Sequence, residues 1–396
     1  MSDESKEITQ EAANQTGWSR RRVFNAASLA ALGGAAVTAL PWQRANAQEG
    51  KKVEDLENFK YDLEKQTHWV GPGGSAKEAT VEEFPVSQSI AGVSMRLDPG
   101  AIRELHWHSL AAEWAYMLEG RCRATVINPE GQADIADFGV GDTWYFPRGH
   151  GHVLQNLGPG PCHFLLVFDN GHFSEFGTFS ATDWINNTPP DILSRNLGLP
   201  TTAFGGFPKK ELYIGPGRVP PQDLEAFRNT EIQPGQANHK YRLDHTPART
   251  FPGGTEHLVS AKEFPIQTTL TAVKMTLQPG ALREMHWHPH ADEWQYYVKG
   301  RSRIRIFGSH GRTKEEEFGP GQVAFIKQGY GHYVEQLGNE PTEILILFNA
   351  PDYQEISLNN WLGGNPVSIL ETNFGISKAL IDQLPKKEIG IIGRKA

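Results

Sequence analysis

The sequence predicts an all-β protein built from two tandem barrels of the same kind, each closed by short helical segments. Short runs of aromatic and β-branched residues recur along the chain, bounded by Gly, Pro and Asn, without the strand–helix alternation of α/β folds. Gly 41 and Pro 26 among 396 residues supply the many turns that such a fold needs. A long internal repeat indicates that one domain occurs twice. These three observations favour a duplicated sandwich or barrel.

Composition and charge narrow the possible partners. Lys+Arg 38 against Asp+Glu 46 gives a formal net charge of −8, and no long basic tract occurs, so binding to nucleic acid or to anionic membranes is not expected. The two cysteines, Cys122 and Cys162, are too few for a disulfide-built scaffold or a four-thiolate zinc site. No apolar run reaches about 18 residues, so we expect no membrane span in the processed chain.

Residues 1–47 have the features of a twin-arginine signal peptide. The segment Ser-Arg-Arg-Arg-Val-Phe at 19–24 precedes a modest apolar run at 26–40. Ala45-Asn46-Ala47 is a small-x-small cleavage site, so we expect the mature chain to begin at Gln48. This signal predicts a periplasmic or secreted protein that is exported folded. The alternative is a disordered tail with a chance run of arginines.

The rest of the chain is organised by the repeat. Leu-Asp-Pro-Gly-Ala-Ile-Arg-Glu-Leu-His-Trp-His at 97–108 recurs as Leu-Gln-Pro-Gly-Ala-Leu-Arg-Glu-Met-His-Trp-His at 277–288, an offset of 180. Further on, Trp184 matches Trp361 at an offset of 177, so the first copy holds three extra residues between Phe168 and Trp184. We expect an N-terminal domain at 48–230 and a C-terminal domain at 231–396. Gly and Pro cluster at the linker between them, near 216–234.

Each copy begins with strands and ends with helix. Residues 143–146, 163–168 and 344–348 are apolar, aromatic or branched and are bounded by turn residues, which predicts strands. The stretches 180–197 and 358–384 are predicted to be helical. The strands therefore carry the candidate site residues, and the helices close each domain.

Two clusters of potential metal ligands occupy equivalent places in the repeats. His106 and His108 lie two residues apart on a predicted strand, so their side chains share one face. Glu113 begins the next strand, and His152 comes from a distant strand. The second copy repeats the set as His286, His288, Glu293 and His332. Three imidazoles with one carboxylate suit Mn or Fe, and less obviously Zn. One His-x-His is more often structural, but the same tetrad twice predicts two metal sites per chain.

The sequence around these residues resembles the cupin superfamily. Two motifs carry the resemblance in the first copy, Gly100-x5-His106-x-His108-x4-Glu113-x6-Gly120 and Gly141-x5-Pro147-x-Gly149-x2-His152-x3-Asn156. The second copy keeps the first motif, but Lys and Gln stand at 327 and 336, where the second motif has Pro and Asn. The resemblance implies two cupin barrels, that is, two double-stranded β-helix (jelly-roll) domains.

A closer resemblance, over nearly all of the chain after residue 47, is to the bicupin oxalate decarboxylases. The segments Arg-Glu-Leu-His-Trp-His (103–108), Glu-Trp-Ala-Tyr-Met (113–117), Glu-Trp-Gln-Tyr-Tyr (293–297) and Gly-His-Tyr-Val-Glu (331–335) look very like that family. The resemblance implies two Mn2+ ions per chain, O2 as a cofactor, and cleavage of oxalate to formate and CO2. It also implies a homo-oligomer, either a trimer or a hexamer.

Oxalate is doubly charged, so its pocket needs a positive group. Arg103 lies three residues before His106, and strand alternation alone would turn it away from the ligand face unless the start of the strand breaks the parity. The family resemblance implies that Arg103 binds the substrate carboxylate and stabilises the radical intermediate. Arg283 is its C-terminal counterpart.

The three extra residues fall in 170–182, where the family carries a mobile lid with a Ser-Glu pair, here Ser174 and Glu175. After CO2 leaves, the one-carbon intermediate must gain a proton to become formate. We expect Glu175, desolvated under the lid and therefore raised in pKa, to deliver that proton at an active N-terminal site. Gly171 and Gly177 are the expected hinges. Phe176 and Gly177 replace a pair that is usually more polar.

Two other functions stay open at this point. The altered lid favours an oxalate oxidase, which makes CO2 and H2O2 on the same site. The second alternative is a non-catalytic periplasmic protein that binds or stores Mn. Arg103 and Glu175 argue for catalysis, because neither is needed to hold a metal. Glu355 aligns with Glu175 on a shorter loop without glycine, so we expect the C-terminal metal to be structural or accessory.

Overall fold

The computed structural model describes residues 54–67, 69–228, 231–235 and 237–394, and within these ranges the fold is predominantly β. The predicted signal peptide lies outside the described residues. The all-β prediction is confirmed: the strands form four antiparallel sheets, which make two cupin barrels with short helices after the last long strand of each.

The first half of the chain contains thirteen of the described strands. They are β1 Lys60–Tyr61, β2 Trp69–Gly71, β3 Gly74–Ala79, β4 Ala91–Leu97, β5 Ile102–Trp107, β6 Glu113–Glu119, β7 Arg121–Ile127, β8 Ala133–Gly139, β9 Thr143–Phe146, β10 Gly151–Asn156, β11 Cys162–Phe168, β12 Phe179–Ser180 and β13 Ile214–Gly215.

The second half repeats this series. Its strands are β14 Lys240–Tyr241, β15 Arg249–Phe251, β16 Gly254–Val259, β17 Thr271–Leu277, β18 Leu282–Trp287, β19 Glu293–Lys299, β20 Arg301–Phe307, β21 Thr313–Phe318, β22 Val323–Ile326, β23 Gly331–Leu337, β24 Thr342–Phe348, β25 Ile356–Ser357 and β26 Ile391–Ile392.

Helices follow β12 and β25, where the sequence predicts them. The α-helices are α1 Ala181–Asn186, α2 Pro190–Leu197, α3 Leu224–Phe227, α4 Leu358–Gly363, α5 Val367–Phe374 and α6 Lys378–Ile381. Short 3-10 turns occur at Leu63–Lys65, Glu175–Gly177, Thr201–Gly206, Leu243–His245 and Ser309–Gly311. The turn at Glu175–Gly177 lies between β11 and β12, in the segment that holds the predicted lid.

The two halves exchange edge strands. The first barrel combines a sheet in the order β14-β9-β6-β11-β4-β3-β2 with a sheet containing β12-β5-β10-β7-β8, and the second barrel has the same plan with β1 at the equivalent edge. Thus Lys60 pairs with Ala324 of the second half, while Lys240 pairs with Trp144 of the first. These strands are two residues long and carry no periodic pattern. The domain boundaries at 230 and 231 stay a prediction.

One strand of each barrel is buried on both faces and carries a metal-ligand candidate. In β6, Ala115 and Met117 join the core of the first barrel, whereas Trp114 and Tyr116 join a cluster that contains Trp294 and Tyr296 of the second half. The approach is close: a Cβ added to Gly92 would lie 2.3 Å from Trp294. Because alternation continues along the strand, Glu113 points into the barrel with Ala115.

Candidate metal centres and active site

The first candidate centre lies inside the N-terminal barrel. β5 and β10 run antiparallel with His106 opposite His152, and His108 follows the end of β5. Their imidazole centroids are 4.2–5.0 Å apart, and Glu113 at the start of β6 completes the group. One potential ligand atom from each of the four residues lies within 4.8 Å of all the others. The structure therefore brings together all four predicted ligands of this centre.

Hydrogen bonds fix the orientation of two of these rings. The Nδ1–H of His106 donates to the Glu104 carbonyl at 2.6 Å, and that of His152 donates to the His150 carbonyl at 2.9 Å. A carbonyl only accepts, so Nδ1 carries the proton and Nε2 keeps its lone pair. Burial first, and then Arg103, lower the pKa of His106 well below its usual value, so this ring stays neutral.

The atoms that face the middle of the group have no hydrogen-bond partner among the described residues. They are the Nε2 atoms of His106, His108 and His152 and the Oε2 atom of Glu113, and all are buried. Buried polar atoms are normally satisfied, so four unpaired acceptors that converge on one point fit a cation. The donor set of three imidazoles and a carboxylate matches Mn or Fe.

The second candidate centre repeats this arrangement in the C-terminal barrel. His286, His288, Glu293 and His332 form an equivalent buried group. Glu293 Oε2 lies 3.1 Å from His288 Nε2 and 2.9 Å from His332 Nε2, yet none of these three atoms has a hydrogen-bond partner among the described residues. Ligand atoms that coordinate the same ion are expected to lie this close together without a hydrogen bond between them. All eight predicted ligands thus fall into two groups.

The two carboxylate ligands are held by different donors. Trp144 on β9 donates its Nε1–H to Glu113 Oε1 at 2.6 Å, while Gln295 on β19 donates its side-chain amide to Glu293 Oε1 at 2.6 Å. The donor comes from a different strand in each barrel. Trp144 lies on β9 opposite Ala115 of β6, whereas Gln295 lies on β19 opposite Ala324 of β22. Each donor occupies one carboxylate oxygen and leaves Oε2 for the ion.

Replacing either donor is expected to weaken metal binding at its own centre only. Trp144→Phe keeps an aromatic ring in the core but leaves Glu113 Oε1 unpaired, and we expect Mn affinity at the first centre to fall about 10–100-fold, as for other outer-shell partners. Gln295→Leu is the matched change at the second centre. Titration of the metal-free variants with Mn2+ against a chelator measures both constants. An unchanged affinity in Trp144→Phe would show that this hydrogen bond does not tune the ion.

A β-bulge places Arg103 on the same face as the ligands. The β5–β10 register pairs His106 with His152 but Arg103 with Leu154, so three residues of β5 span the same step as two residues of β10. The same irregularity lies between Arg283 and His286 in β18. The alternation of side chains between the two faces is therefore interrupted inside the strand. The sequence had suggested an interruption at the start of the strand. Arg103 is fully buried in consequence.

The lid turn is closed over this centre. Arg103 Nε donates to Glu175 Oε1 at 2.8 Å, and its Nη2 donates to Thr178 Oγ1 at 2.7 Å. The Glu175 carboxylate lies 3.4 Å from His108 Nε2 and 3.8 Å from His106 Nε2. It is 1% exposed. The predicted lid acid, the predicted substrate arginine and the metal ligands therefore meet at one point.

One expectation about Glu175 is wrong for this arrangement. Burial does oppose its ionisation, but the Arg103 guanidinium and then His108 outweigh burial and lower the pKa of Glu175 to about 2. Desolvation alone would raise the pKa of Glu175, which is the direction predicted from the sequence. The closed lid thus holds a carboxylate, paired with the residue expected to bind the substrate.

The base of the lid is fastened to β3. Ser174 Oγ donates to the Glu78 carboxylate at 2.9 Å, and the Glu175 amide donates to the same carboxylate at 3.2 Å. Gly171 does not have the surroundings of a free hinge, because a Cβ there would lie 2.0 Å from the Ser87 carbonyl oxygen. Gly177 has open space around it. Of the two expected hinges, only Gly177 therefore lies in open surroundings, and the hinge role stays a prediction.

The loop of the second centre is shorter and is tied to a ligand. Seven residues separate β24 from β25, against ten between β11 and β12, which locates the predicted three-residue difference in the lid. Glu355 does reach Arg283, and Tyr353 donates its hydroxyl hydrogen to Glu355 at 2.7 Å. His288 Nδ1–H donates to the Gln354 carbonyl at 2.8 Å. Opening this loop would break a bond to a metal ligand.

Several residues of the site were not predicted from the sequence. Glu78, Trp144 and Tyr213 have no repeated counterpart of the same type, so the repeat does not reveal them. Glu104 could have been found, since it recurs as Glu284 inside the repeated motif. It is buried and accepts hydrogen bonds from Ser180 Oγ, Thr182 Oγ1 and the amide of Tyr213, which joins β5 to the end of the lid and to the segment before β13.

The fold and the two centres define a duplicated cupin metalloprotein. The sequence matches the Cupin family over residues 62–202 and again over 243–382, one match for each barrel.

Comparison with known proteins identifies the group of cupins to which this chain belongs. The chain is 38% identical over 343 residues to oxalate decarboxylase OxdC of Bacillus subtilis (strain 168), covering 86% of this chain and 88% of that protein. It is 32% identical to a probable oxalate decarboxylase of Arthroderma benhamiae, covering 81% and 79%. A solved structure of B. subtilis oxalate decarboxylase, studied for its Mn(II) centres, superposes with a TM-score of 0.82 at 36% identity, covering 87% of this chain and 90% of that one. This chain belongs to the bicupin oxalate decarboxylase family.

Proposed function

We propose that the protein is a Mn-dependent oxalate decarboxylase that converts oxalate and one proton to formate and CO2, with O2 as a cofactor, at its N-terminal centre. The observation that carries the proposal is the Glu175 carboxylate, held by Arg103 within 3.8 Å of two metal-ligand imidazoles. Its relatives named as oxalate decarboxylases support the choice of substrate, and the Mn(II) of the solved relative supports the choice of metal.

Arg103 is the group that would bind the substrate. Its buried guanidinium now holds a lid carboxylate, and a carboxylate of oxalate presents the same two oxygens. An incoming oxalate takes Arg103 from Glu175. Burial raises the pKa of Glu175, and the Arg103 guanidinium is the largest influence that lowers it. When oxalate takes this guanidinium, the pKa of Glu175 rises and its protonated form becomes easier to reach.

Glu175 would then supply the proton of the product. With Mn and O2 bound, the site would have the one-electron chemistry that breaks the carbon–carbon bond. The chain's own part is to place an acid 3.4 Å from His108 and to exclude bulk water, which the closed turn does. Oxalate dianion plus one proton gives formate and CO2. If the one-carbon intermediate does not receive this proton, its oxidation by O2 gives a second CO2, and the reduced O2 takes up two protons to form H2O2.

The N-terminal centre is the better candidate for turnover because its lid is three residues longer and approaches the ligands through the Glu175 side chain. The Glu175 turn is fastened through Glu78 and Arg103, whereas the second loop is hydrogen-bonded to His288 itself. The Arg283–Glu355 pair gives the second centre similar charges, but its loop is shorter. We propose a structural or accessory role for that metal.

Product analysis tests this proposal. Mn-loaded protein is incubated with oxalate in mildly acidic buffer under air, and formate, CO2 and peroxide are quantified together. Equal amounts of formate and CO2 are expected. Peroxide without formate would instead identify an oxalate oxidase. Intact oxalate with both centres loaded would favour the Mn-binding or storage protein.

We propose further that the protein is exported folded to the periplasm or beyond the cell, with cleavage before Gln48. The twin-arginine segment and the cleavage site of the first 47 residues support this. Mn2+ binds weakly among divalent ions, so folding before export would allow it to be loaded away from competing metals. The test is fractionation of cells that express the full chain, followed by mass spectrometry of the mature N-terminus. An uncleaved protein that stays in the cytoplasm would contradict the proposal.

We also propose a homo-oligomer, a trimer or a hexamer. Both barrels expose large apolar side chains at equivalent positions: Trp184 and Trp361 are 69% and 58% exposed, and Leu105 and Met285 are 59% and 51% exposed. No described helix is long and apolar enough to cross a membrane. Light scattering of the purified protein is expected to give three or six times the chain mass, and a monomer would refute the proposal.

A further inference from the structure

Tyr213 lies beside Arg103 in a backbone conformation that non-glycine residues rarely adopt. Its φ is +53°, and the equivalent residue of the second copy is Gly390, with φ +75°. The backbone makes the same bonds in both copies: the amide donates to Glu104 or Glu284, and the carbonyl accepts from the neighbouring arginine. Glycine satisfies this backbone role. The first copy nevertheless places a tyrosine side chain at a strained position next to the active site.

The Tyr213 ring contacts the substrate arginine and the lid at once. The Arg103 guanidinium carbon lies 4.2 Å from the ring centroid, and the Phe176 ring of the lid lies 5.1 Å away at 45°. Trp69 packs edge-on behind the ring at 4.7 Å. The guanidinium is thus held between the Glu175 carboxylate and an aromatic face, and the lid contributes to both sides of this contact.

Phe176 provides a contact that does not depend on charge. It is 42% exposed and lies in the turn Glu175–Gly177, next to the proposed acid. In the proposed reaction, oxalate takes Arg103 and the ion pair between Arg103 and Glu175 is lost. The lid must nevertheless stay closed over the bound oxalate, so another contact has to hold it. The contact between Phe176 and Tyr213 does not involve the Arg103 guanidinium as a partner, so it does not depend on the ion pair that oxalate would break.

The second copy lacks this contact. Gly390 replaces the tyrosine, and the seven-residue loop contains no phenylalanine. There the carboxylate of Glu355 is held by the Tyr353 hydroxyl, which belongs to the same loop. The aromatic pair therefore occurs in the copy with the longer loop.

We propose that Phe176 and Tyr213 form an aromatic latch that keeps the lid closed over bound oxalate and so sets the ratio of formate to peroxide. This inference rests on the proposed function. Both are positioning residues, since they act through Glu175 and Arg103. The latch also accounts for the apolar residue at 176, although the sequence alone associates this altered lid with an oxidase.

The test compares the wild-type protein with three variants, each changed at one exposed residue. Phe176→Ala removes the latch, Phe176→Tyr keeps its ring, and Phe179→Ala is the matched control. Phe179 lies on the same segment and is 50% exposed, but it stacks on Trp107 at 5.3 Å. Two readouts are taken: hydrogen–deuterium exchange of residues 170–178 in the metal-free and Mn-loaded proteins, and peroxide formed per formate.

In Phe176→Ala we expect faster exchange of the lid and a rise in peroxide per formate of roughly two- to tenfold, the factor that one aromatic contact is worth. Phe176→Tyr and Phe179→Ala should behave like the wild type. Wild-type exchange and product ratio in Phe176→Ala would overturn the latch, as would an equal change in Phe179→Ala. A wild-type protein that makes no formate would refute the proposed function, while the exchange experiment would still decide on the latch.

Discussion

Glu175→Gln is expected to lose formate production by about 10²–10⁴-fold, the contribution of a positioned general acid. Glutamine keeps an oxygen that can accept from Arg103, so the lid can still close, but its amide has no acidic proton to transfer. The residual turnover should produce peroxide and CO2. Mn content should stay at two ions per chain, because Glu175 is not among the eight clustered ligands. The measurement is formate and peroxide release alongside metal analysis.

Glu355→Gln is the matched control for this variant. It changes the same residue type, which pairs with the equivalent arginine of the second centre. We expect formate production close to that of the wild type. If instead Glu355→Gln removed formate production and Glu175→Gln did not, the assignment of the active centre to the N-terminal barrel would be wrong.

His108→Ala is expected to lower Mn content from two ions to one per chain and to lower formate production by about 10³-fold, as when several kcal/mol of metal-derived stabilisation is lost. His108 lies within 3.4 Å of Glu175, so its loss disables the centre at which the acid is placed. Both effects follow from one imidazole, because its unpaired Nε2 is one of only four converging ligand atoms.

His288→Ala is the equivalent change 180 residues further on. It should also remove one Mn but leave most of the formate production, with a lower midpoint of thermal unfolding because a buried ligand site is left open. Metal analysis, thermal unfolding and product assays on both variants separate the two centres. Equal loss of formate production in the two variants, with the first centre of His288→Ala still loaded, would make the second ion part of the catalytic machinery.

The repeat made the metal centres predictable from sequence. Four ligands of two types, histidine and glutamate, recur at identical spacing. Period-two alternation places His106 and His108 on one face, so the approach of these two side chains required no tertiary information. The three-residue difference likewise located the lid between β11 and β12. Both signals come from comparing the chain with itself.

Features without such a counterpart could not be predicted. The β-bulge that turns Arg103 inward depends on the pairing of β5 with β10, which lies about 50 residues away along the chain. The lowered pKa of Glu175 follows from that bulge, since the bulge brings the guanidinium to the carboxylate. Tyr213 lies more than 100 residues after Arg103 and contacts it only through the fold. Long-range geometry, and not local sequence, decided each of these.

The most direct test of the central claim follows 13C-labelled oxalate in a sealed, air-equilibrated vessel with an oxygen electrode. The Mn-loaded wild-type protein should yield one formate and one CO2 per oxalate, while dissolved O2 stays constant because it acts only as a cofactor. Consumption of one O2 per oxalate, with two CO2 and no formate, would contradict the account and identify the lid of this protein as that of an oxidase.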